Sequence, residues 1–464
     1  MSDLLLTHGY FLYEDPKELQ IMKPYVPLGI LYICSHLRNK GFGVEVFDST
    51  FSTMADLLRH LESESPSVLG VYANLMTRKN VVQILRTARQ SGWKTVVGGP
   101  EPGAYVHEYL DAGADVVVLG EGENTMEDLL PALREASDSA LRKVQGIAFR
   151  GEDGHIEQTA QRAQIEDLDA QPWPARDAVD IDRYVQTWRE AHGKGSLSFI
   201  TARGCPYRCR WCSHQVFGMT HRRREPHAVV EEVEWLLSAY HPDMVWIADD
   251  VFTIHHGWLR EYAAAMRGRD LRVPFECISR ADRLNAEVAD ILAELGCFRL
   301  WIGSESGSQR ILDAMERGVK VEQVQSAISL CKARGIQTGM FLMWGYEGEE
   351  ISDVEATIEH VKRSDPDIFF TTVAYPIKGT PYFERVANSI VQLKPCSETS
   401  DRELRLTGQR SLKFYEYADR LLRDEVQLAR LQRTNESVAS EEELRERIKI
   451  LRGDLYSASS EIRA

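Results

Sequence analysis

Leu197-Ser-Phe-Ile-Thr201 runs straight into Ala202-Arg-Gly-Cys205-Pro-Tyr-Arg-Cys209-Arg-Trp-Cys212-Ser-His214, and the rest of the chain is read outward from this stretch. The first five residues have the apolar, β-branched character of a buried strand. The loop that follows carries Cys-x3-Cys-x2-Cys. Three thiolates this close can grip three irons of a cubane cluster and leave the fourth iron open to another molecule. Zinc is the rival reading, because His214 lies two residues past Cys212 and would complete a Cys3His set. Structural zinc sites usually bring their ligands as two separated pairs, and no second pair follows. Zinc stays open at this point. Disulfides are disfavoured: the other cysteines (34, 277, 297, 331, 396) are scattered and no secretory segment is evident.

Downstream of the loop, strand and helix patterns alternate. Strands are predicted at Met244–Ile247, Phe275–Ile278, Arg299–Ile302, Thr338–Leu342 and Ile368–Val373, with helices over 227–240, 285–295, 322–334 and 352–363. With Leu197–Thr201 these make six units of a barrel-like parallel sheet, short of a full eight. In such sheets active-site loops gather at the C-terminal strand ends, and the cysteine loop follows the first strand.

Upstream, the first ~139 residues show a second alternating series. Its strands are expected at Leu4–Leu6, Val44–Asp48, Val68–Tyr72, Thr95–Val97 and Val116–Leu119, with helices over 28–40, 53–64 and 80–90. This is the pattern of a doubly wound parallel sheet, with glycines at the C-terminal strand ends where ligands sit. Residues 140–196 read as a connector: a hairpin around Asp153-Gly154, then an extended linker, Asp167–Pro174. The expected domains are therefore 1–139, a connector 140–196, a partial (β/α)6 barrel 197–385 and a helical C-terminal region 386–464. In the last region Ser440-Glu-Glu-Glu443 has the form of a capping box.

A chain of 464 residues with 43% hydrophobic content can bury two or three cores. Its net charge of −15 disfavours a nucleic-acid partner. The basic run Thr220-His-Arg-Arg-Arg224 reads as a solvated turn, or alternatively as donors beside the cysteine loop. No apolar run reaches the ~20 residues needed to span a bilayer. The chain opens directly into a strand, so no targeting peptide is evident and a reducing cytoplasm is the expected location.

The cysteine spacing after the first strand of a partial barrel, with Trp211 before the last cysteine, resembles the radical S-adenosylmethionine superfamily over about 197–385. The resemblance implies that Cys205, Cys209 and Cys212 hold a 4Fe-4S cluster. It implies that S-adenosylmethionine chelates the fourth iron and is cleaved to a 5′-deoxyadenosyl radical, with an external one-electron reductant of the flavodoxin or ferredoxin type. Trp211 would lie near the adenine. Ala248-Asp249-Asp250 stands where the family usually has a Gly-Gly-Glu-like segment for the methionyl amine. Ser279-Arg280 ends the third strand, with Arg280 a partner for the carboxylate, and Glu305 and Ser306 end the fourth, facing the ribose. Their plain alternatives are a helix cap, a surface ion pair and a glycine-rich turn. Glu347 replaces the proline of the family's Gly-x-Pro-Gly-Glu segment.

The N-terminal half resembles the cobalamin-binding domain that precedes the barrel in one branch of this superfamily. Pro27–Leu31, Gly98-Gly-Pro100 and Gly120-Glu-Gly-Glu123 carry the likeness, so Gly98, Gly99, Gly120 and Glu121 are the candidate cobalamin contacts. The Asp-x-His-x-x-Gly motif is absent, Glu101 stands where a histidine is frequent, and Leu75-Met76 put bulk at a strand end. The alternative is a vestigial domain that only covers the barrel mouth. Anaerobic Mg-protoporphyrin cyclases and radical C-methyltransferases share this layout.

The expected function is radical tailoring of a small molecule, by cobalamin-dependent C-methylation or a related rearrangement. Cobalamin-free dehydration of a diol or amino sugar, the aminoglycoside diol dehydratase type, is the alternative. A zinc-stabilised module without catalysis is the remote one. Asp249, Asp250, His255 and Glu347 are the candidate catalytic groups. His256 reads as an exposed loop residue, and Cys277 and Cys297 as buried small hydrophobes.

Overall fold

The computed structural model describes residues 2–213, 218–434 and 438–460. His214 of the zinc reading lies outside them. The chain forms two compact units. One comprises Met1–Pro206, Ser213–Trp246 and Lys394–Arg402, and the other Tyr207–Cys212, Ile247–Leu393 and Glu403–Ala464.

The first unit is built on a seven-stranded sheet. Its strands are β1 (Leu4–His8), β2 (Val44–Phe47), β3 (Val68–Tyr72), β4 (Lys94–Gly98), β5 (Val116–Val118), β6 (Ile147–Arg150) and β7 (Ile156–Gln158), in the order β2-β1-β3-β4-β5-β6-β7. The first five pair in parallel. Alternation along each strand sends side chains to opposite faces, and both faces are covered. Leu4, Leu6, Val96, Val116 and Val118 join one apolar core with Ile30, Leu129 and Leu130. Leu5, Leu69, Val71, Val97 and Val117 join the other with Ile84, Leu85 and Tyr109. Each such side chain removed from water contributes roughly 1.5–3 kcal/mol, which is why runs of Val and Leu rather than alternating polar residues specify these strands. The connector hairpin is not a free-standing element: β6 pairs antiparallel with β5, and β7 with β6. It covers an edge that β5 would otherwise leave open.

A second sheet contains β8 (Ser196–Phe199), β11 (Met244–Ile247), β12 (Phe275–Ser279), β13 (Cys297–Glu305), β14 (Gln337–Trp344) and β15 (Ile368–Val373), in the order β15-β14-β13-β12-β11-β8. Between β8 and β11 a two-residue ladder joins β9 (Ala202–Arg203) to β10 (Arg222–Arg223). Within the second unit β12 to β15 pair in parallel, and β13 carries a bulge between Gly303 and Glu305. The fourth strand is therefore longer than its apolar centre, Arg299–Ile302, predicts. It extends back to Cys297 and forward through the bulge.

The C-terminal region is divided between the units: Lys394–Arg402 folds with the first and the terminal helices with the second. Helix Leu412–Thr434 packs on helix Ile351–Ser364 and on the final helix, Val438–Ala458. Ser440 lies within the described span of that last helix, and not ahead of it as a cap. Among the described residues no helix is long and apolar enough to cross a membrane.

Candidate functional site

The base of the cysteine loop is fixed by buried charge. Arg203, two residues before Cys205, donates to Glu121 (3.1 Å) and Glu123 (2.6 Å). Arg222, its partner in the β9–β10 ladder, reaches both oxygens of Glu121 at 3.0 Å, and Glu121 also accepts the Ile165 N–H at 2.7 Å. Arg223 donates to Thr201 Oγ1 at 3.0 Å. Arg224 pairs with Glu232, whose other oxygen faces Arg176 at 3.4 Å; both carboxylate and Arg176 guanidinium are fully enclosed. Thr220–Arg224 is thus not a solvated turn. Arg222 and Arg224 are structural: they compensate the buried carboxylates of Glu121 and Glu232, as Arg203 does that of Glu123.

The later part of the loop belongs to the second unit. Cys209 is buried, and its Sγ is the acceptor of two guanidinium N–H groups, Arg280 Nη1 at 3.8 Å and Arg317 Nη1 at 3.7 Å. Arg280 is braced by Asp282 (2.9 Å), by the Arg317 carbonyl (2.9 Å) and by the Tyr207 ring, 3.6 Å below it. The fork expected for a ligand carboxylate is largely engaged within the protein. Arg317 also donates to the Gly303 carbonyl at 2.9 Å, with its Nε 3.8 Å from Glu305. The turn Met315–Gly318 is tied to the loop on its other side: the Arg210 N–H donates to the Met315 carbonyl at 3.1 Å and its side chain pairs with Glu316. Trp211 packs, half-buried, on an apolar cluster that includes Met315, Tyr346 and Tyr382.

Cys205 is buried like Cys209, whereas Cys212 is half-buried, and no cysteine is in a disulfide. Among the described residues no three His, Cys, Asp or Glu side chains are gathered into a metal-holding set. The donor set nevertheless suits an iron–sulfur cluster: three sulfurs on one short loop, two of them buried, with cationic N–H donors on one of them.

The strand-end residues separate into different environments. After β11, Asp249 is buried, while Ala248 and Asp250 are exposed. Ser279, at the end of β12, shares a 2.5 Å hydrogen bond with Thr253. The β13 bulge turns Glu305 into the left-handed region, φ +63°, an uncommon place for a side-chain-bearing residue. Burial holds its carboxyl above the usual carboxylate range, against the opposing pull of Arg317 and Arg280. Ser306 is enclosed and bonds Thr357 Oγ1 at 3.2 Å. Glu347 is exposed and paired with Arg385, and His255 is exposed ahead of helix His256–Gly268, so neither has the enclosed surroundings expected of an acid–base group. His256 donates from Nε2 to the Arg283 carbonyl at 3.1 Å, which fixes a proton on that nitrogen. Cys277, Cys297 and Cys331 are buried, and burial pushes the Cys331 thiol up to about 12.

At the C-terminal edge of the first sheet, Gly99 has φ +121° and its α-carbon is so close to Ala73 that an added Cβ would lie 2.2 Å from the carbonyl oxygen. Gly98 precedes it at the end of β4, and Gly120, φ +96°, opens onto free space. Glu121, expected here as a cobalamin contact, has both oxygens committed to Arg203, Arg222 and Ile165. Glu101, in the place of the frequent histidine, pairs with buried Arg78. Sequence reading did not single out Arg78 or Arg317. Each is an isolated arginine whose partners come from distant segments, so no local pattern marks it.

Two parallel sheets, the first with glycines at its strand ends and the second with a three-cysteine loop after its first strand, point to an iron–sulfur protein with an added α/β domain. Residues 199–361 match the Radical SAM superfamily, and residues 21–130 match the B12 binding domain. The chain belongs to the radical S-adenosylmethionine superfamily, in the branch with an N-terminal B12-binding domain. It is 28% identical to an uncharacterized methyltransferase of Pyrococcus horikoshii over 79% of each chain. It is 26% identical to the anaerobic magnesium-protoporphyrin IX monomethyl ester cyclase of Synechocystis, over 77% of this chain and 72% of that one. Its fold is that of the radical S-adenosylmethionine methyltransferase TsrM from Kitasatospora setae, a structure with cobalamin and a 4Fe-4S cluster bound. The TM-score is 0.69 at 22% identity, covering 85% of this chain and 80% of that one. The superfamily's cofactors are a 4Fe-4S cluster and S-adenosylmethionine. The reading as a zinc module without catalysis gives way to an enzyme.

Proposed function

We propose that this enzyme transfers a methyl group to carbon in a small-molecule substrate, using cobalamin on its N-terminal domain. The observation that carries the proposal is the pairing of a B12-binding domain with a radical S-adenosylmethionine domain in a chain whose relatives in sequence and fold include methyltransferases. Cys205, Cys209 and Cys212 are the cluster ligands in this reading. When bound, the cluster supplies the electron that cleaves S-adenosylmethionine, delivered by an external one-electron reductant. In this reading Asp249, which is buried, accepts from the methionyl ammonium, with Ala248 beside it. Ser279 and Arg280 line the third strand end, Glu305 and Ser306 the ribose side, and Trp211 the adenine side. Gly98, Gly99 and Gly120 are the corrin contacts in this reading, with Gly120 the one that opens onto free space, whereas Glu121 braces the cysteine loop. The cytoplasm, where thiolate ligands stay reduced, is the location that suits this chemistry.

Anaerobic reconstitution with iron, sulfide and hydroxocobalamin, followed by reaction with S-adenosylmethionine and dithionite, tests the proposal. One cubane cluster and one corrinoid per chain are expected, with S-adenosylhomocysteine formed only when corrinoid is bound. Cys209→Ala should lose the cluster and all 5′-deoxyadenosine. A wild-type chain that binds no corrinoid, or forms 5′-deoxyadenosine without any S-adenosylhomocysteine, refutes methyl transfer; cleavage that persists in Cys209→Ala refutes the ligand assignment.

A further inference from the structure

Arg317 belongs to no motif, yet it meets Cys209, Gly303 and Glu305 at once. Its Nη2 is fixed on the Gly303 carbonyl at 2.9 Å, on the strand that ends in the bulge. That bond orients the guanidinium plane and directs Nη1 to Cys209 Sγ, 3.7 Å away. Its own carbonyl holds Arg280 Nη2 at 2.9 Å, and Arg280 places a second N–H on the same sulfur at 3.8 Å. Both arginines are buried. The turn that carries Arg317 is itself anchored to the cysteine loop through Met315 and Glu316. One sulfur of the three therefore carries two cationic donors, interlocked with each other.

We propose that Arg317, with Arg280 as its brace, is a positioning residue that sets how readily the cluster on Cys205, Cys209 and Cys212 takes up its electron; this rests on the ligand assignment above. Cys205, Cys209 and Cys212 would hold the cluster, and an electron taken up there from the external reductant would add one negative charge beside the two guanidinium groups. Hydrogen bonds to ligand sulfur and nearby positive charge stabilise the more negative state, so they favour reduction. In low-dielectric surroundings such donors act more strongly than they would in water. Arg317 also links the sulfur to Glu305 at the ribose strand end, so its loss should loosen both.

The test is a dithionite titration of the reconstituted holoenzyme followed by electron paramagnetic resonance, without S-adenosylmethionine. Wild type, Arg317→Lys and Arg317→Gln are compared at equal iron and sulfide content. The midpoint should move to more negative potential in the order wild type, Arg317→Lys, Arg317→Gln, and the exchangeable-proton coupling of the reduced cluster should weaken in Arg317→Gln. Full clusters in both variants, with wild-type midpoints and unchanged couplings, overturn the proposal. So does loss of the cluster in both variants, which would make Arg317 a brace for assembly only. Failure of the wild type to hold any cubane cluster instead overturns the ligand assignment.

Discussion

Glu349 keeps Oε2 on the Gly345 N–H, 2.7 Å away, while Oε1 is sealed from solvent with no hydrogen-bond partner. Burial pushes this carboxyl up to about 8, with Asp353 adding to the effect and the Gly345 N–H, Arg410 and Arg310 opposing it. Its ordinary value is near 4.5, so between those two values the unfolded chain releases a proton that the folded chain keeps. Stability tied to this group is complete below about pH 4.5, falls as pH rises through the window, and levels off above about 8. Glu349→Gln removes the titration. The variant should gain on wild type by on the order of 1–3 kcal/mol between about pH 5 and about pH 8.5, read from denaturant midpoints at each pH. A difference that stays constant across that range would place the ionised carboxylate in solvent after all. His360 shows the opposite sign by the same cause: burial pushes its imidazole down to about 4, and the neutral ring bonds Ser304 Oγ at 3.0 Å behind the β13 bulge. Neither state could be assigned from the sequence, because a glutamate and a histidine carry no mark of their eventual burial.

The strand ends carry the chemistry, and Gly99 shows how tightly they are drawn. Its φ is +121°, and a Cβ there would stand 2.2 Å from the Ala73 carbonyl oxygen, so Gly99→Ala meets backbone on one side and a conformation closed to side chains on the other. The substitution should cost about 2–4 kcal/mol, and corrinoid retention should fall with it; an unchanged melting temperature would show that the loop simply relaxes. Most strands were legible because each is a short Val-, Leu- or Ile-rich run that only burial on both faces explains. Ile368–Val373 and Met244–Ile247 lie where the apolar pattern puts them. The three cysteines were legible as a spacing. Less was legible where one residue breaks a period or a partner is distant. The bulge inserts a residue into β13 and turns Glu305 by a device that alternation does not encode. The connector hairpin reads locally as a hairpin, but its pairing with β5 depends on an edge well upstream that must be covered. Ser440 lies inside the final helix, which a cap motif read alone does not reveal.

The first unit includes a piece of chain, Lys394–Arg402, that comes after the strands of the second sheet. Asp401, from Lys394–Arg402, sits fully enclosed against Arg78 of helix Arg78–Gln90, with Nη2 to Oδ1 at 2.7 Å. Arg78 also bonds Glu101 through Nε at 2.8 Å, the Thr399 carbonyl at 3.2 Å and Cys396 Sγ at 3.2 Å, and lies 3.9 Å from the Tyr105 ring. The Tyr105 hydroxyl donates to Asp401 and the Tyr109 hydroxyl to Glu101. Two carboxylates thus share one guanidinium, and the members come from segments far apart in sequence that only packing brings together. Removing one charge from such a network leaves the others buried without full compensation, at a cost of about 3–5 kcal/mol. Asp401→Ala should therefore lower the stability of the first unit by that amount, read from its unfolding transition, although Asp401 lies far from the first sheet in sequence. Arg78→Met should cost a similar amount, and the double variant less than the sum, because each change removes part of the reason the other hurts. Strict additivity in that cycle would mean that the two residues stabilise the unit independently and that Lys394–Arg402 is not held through Arg78.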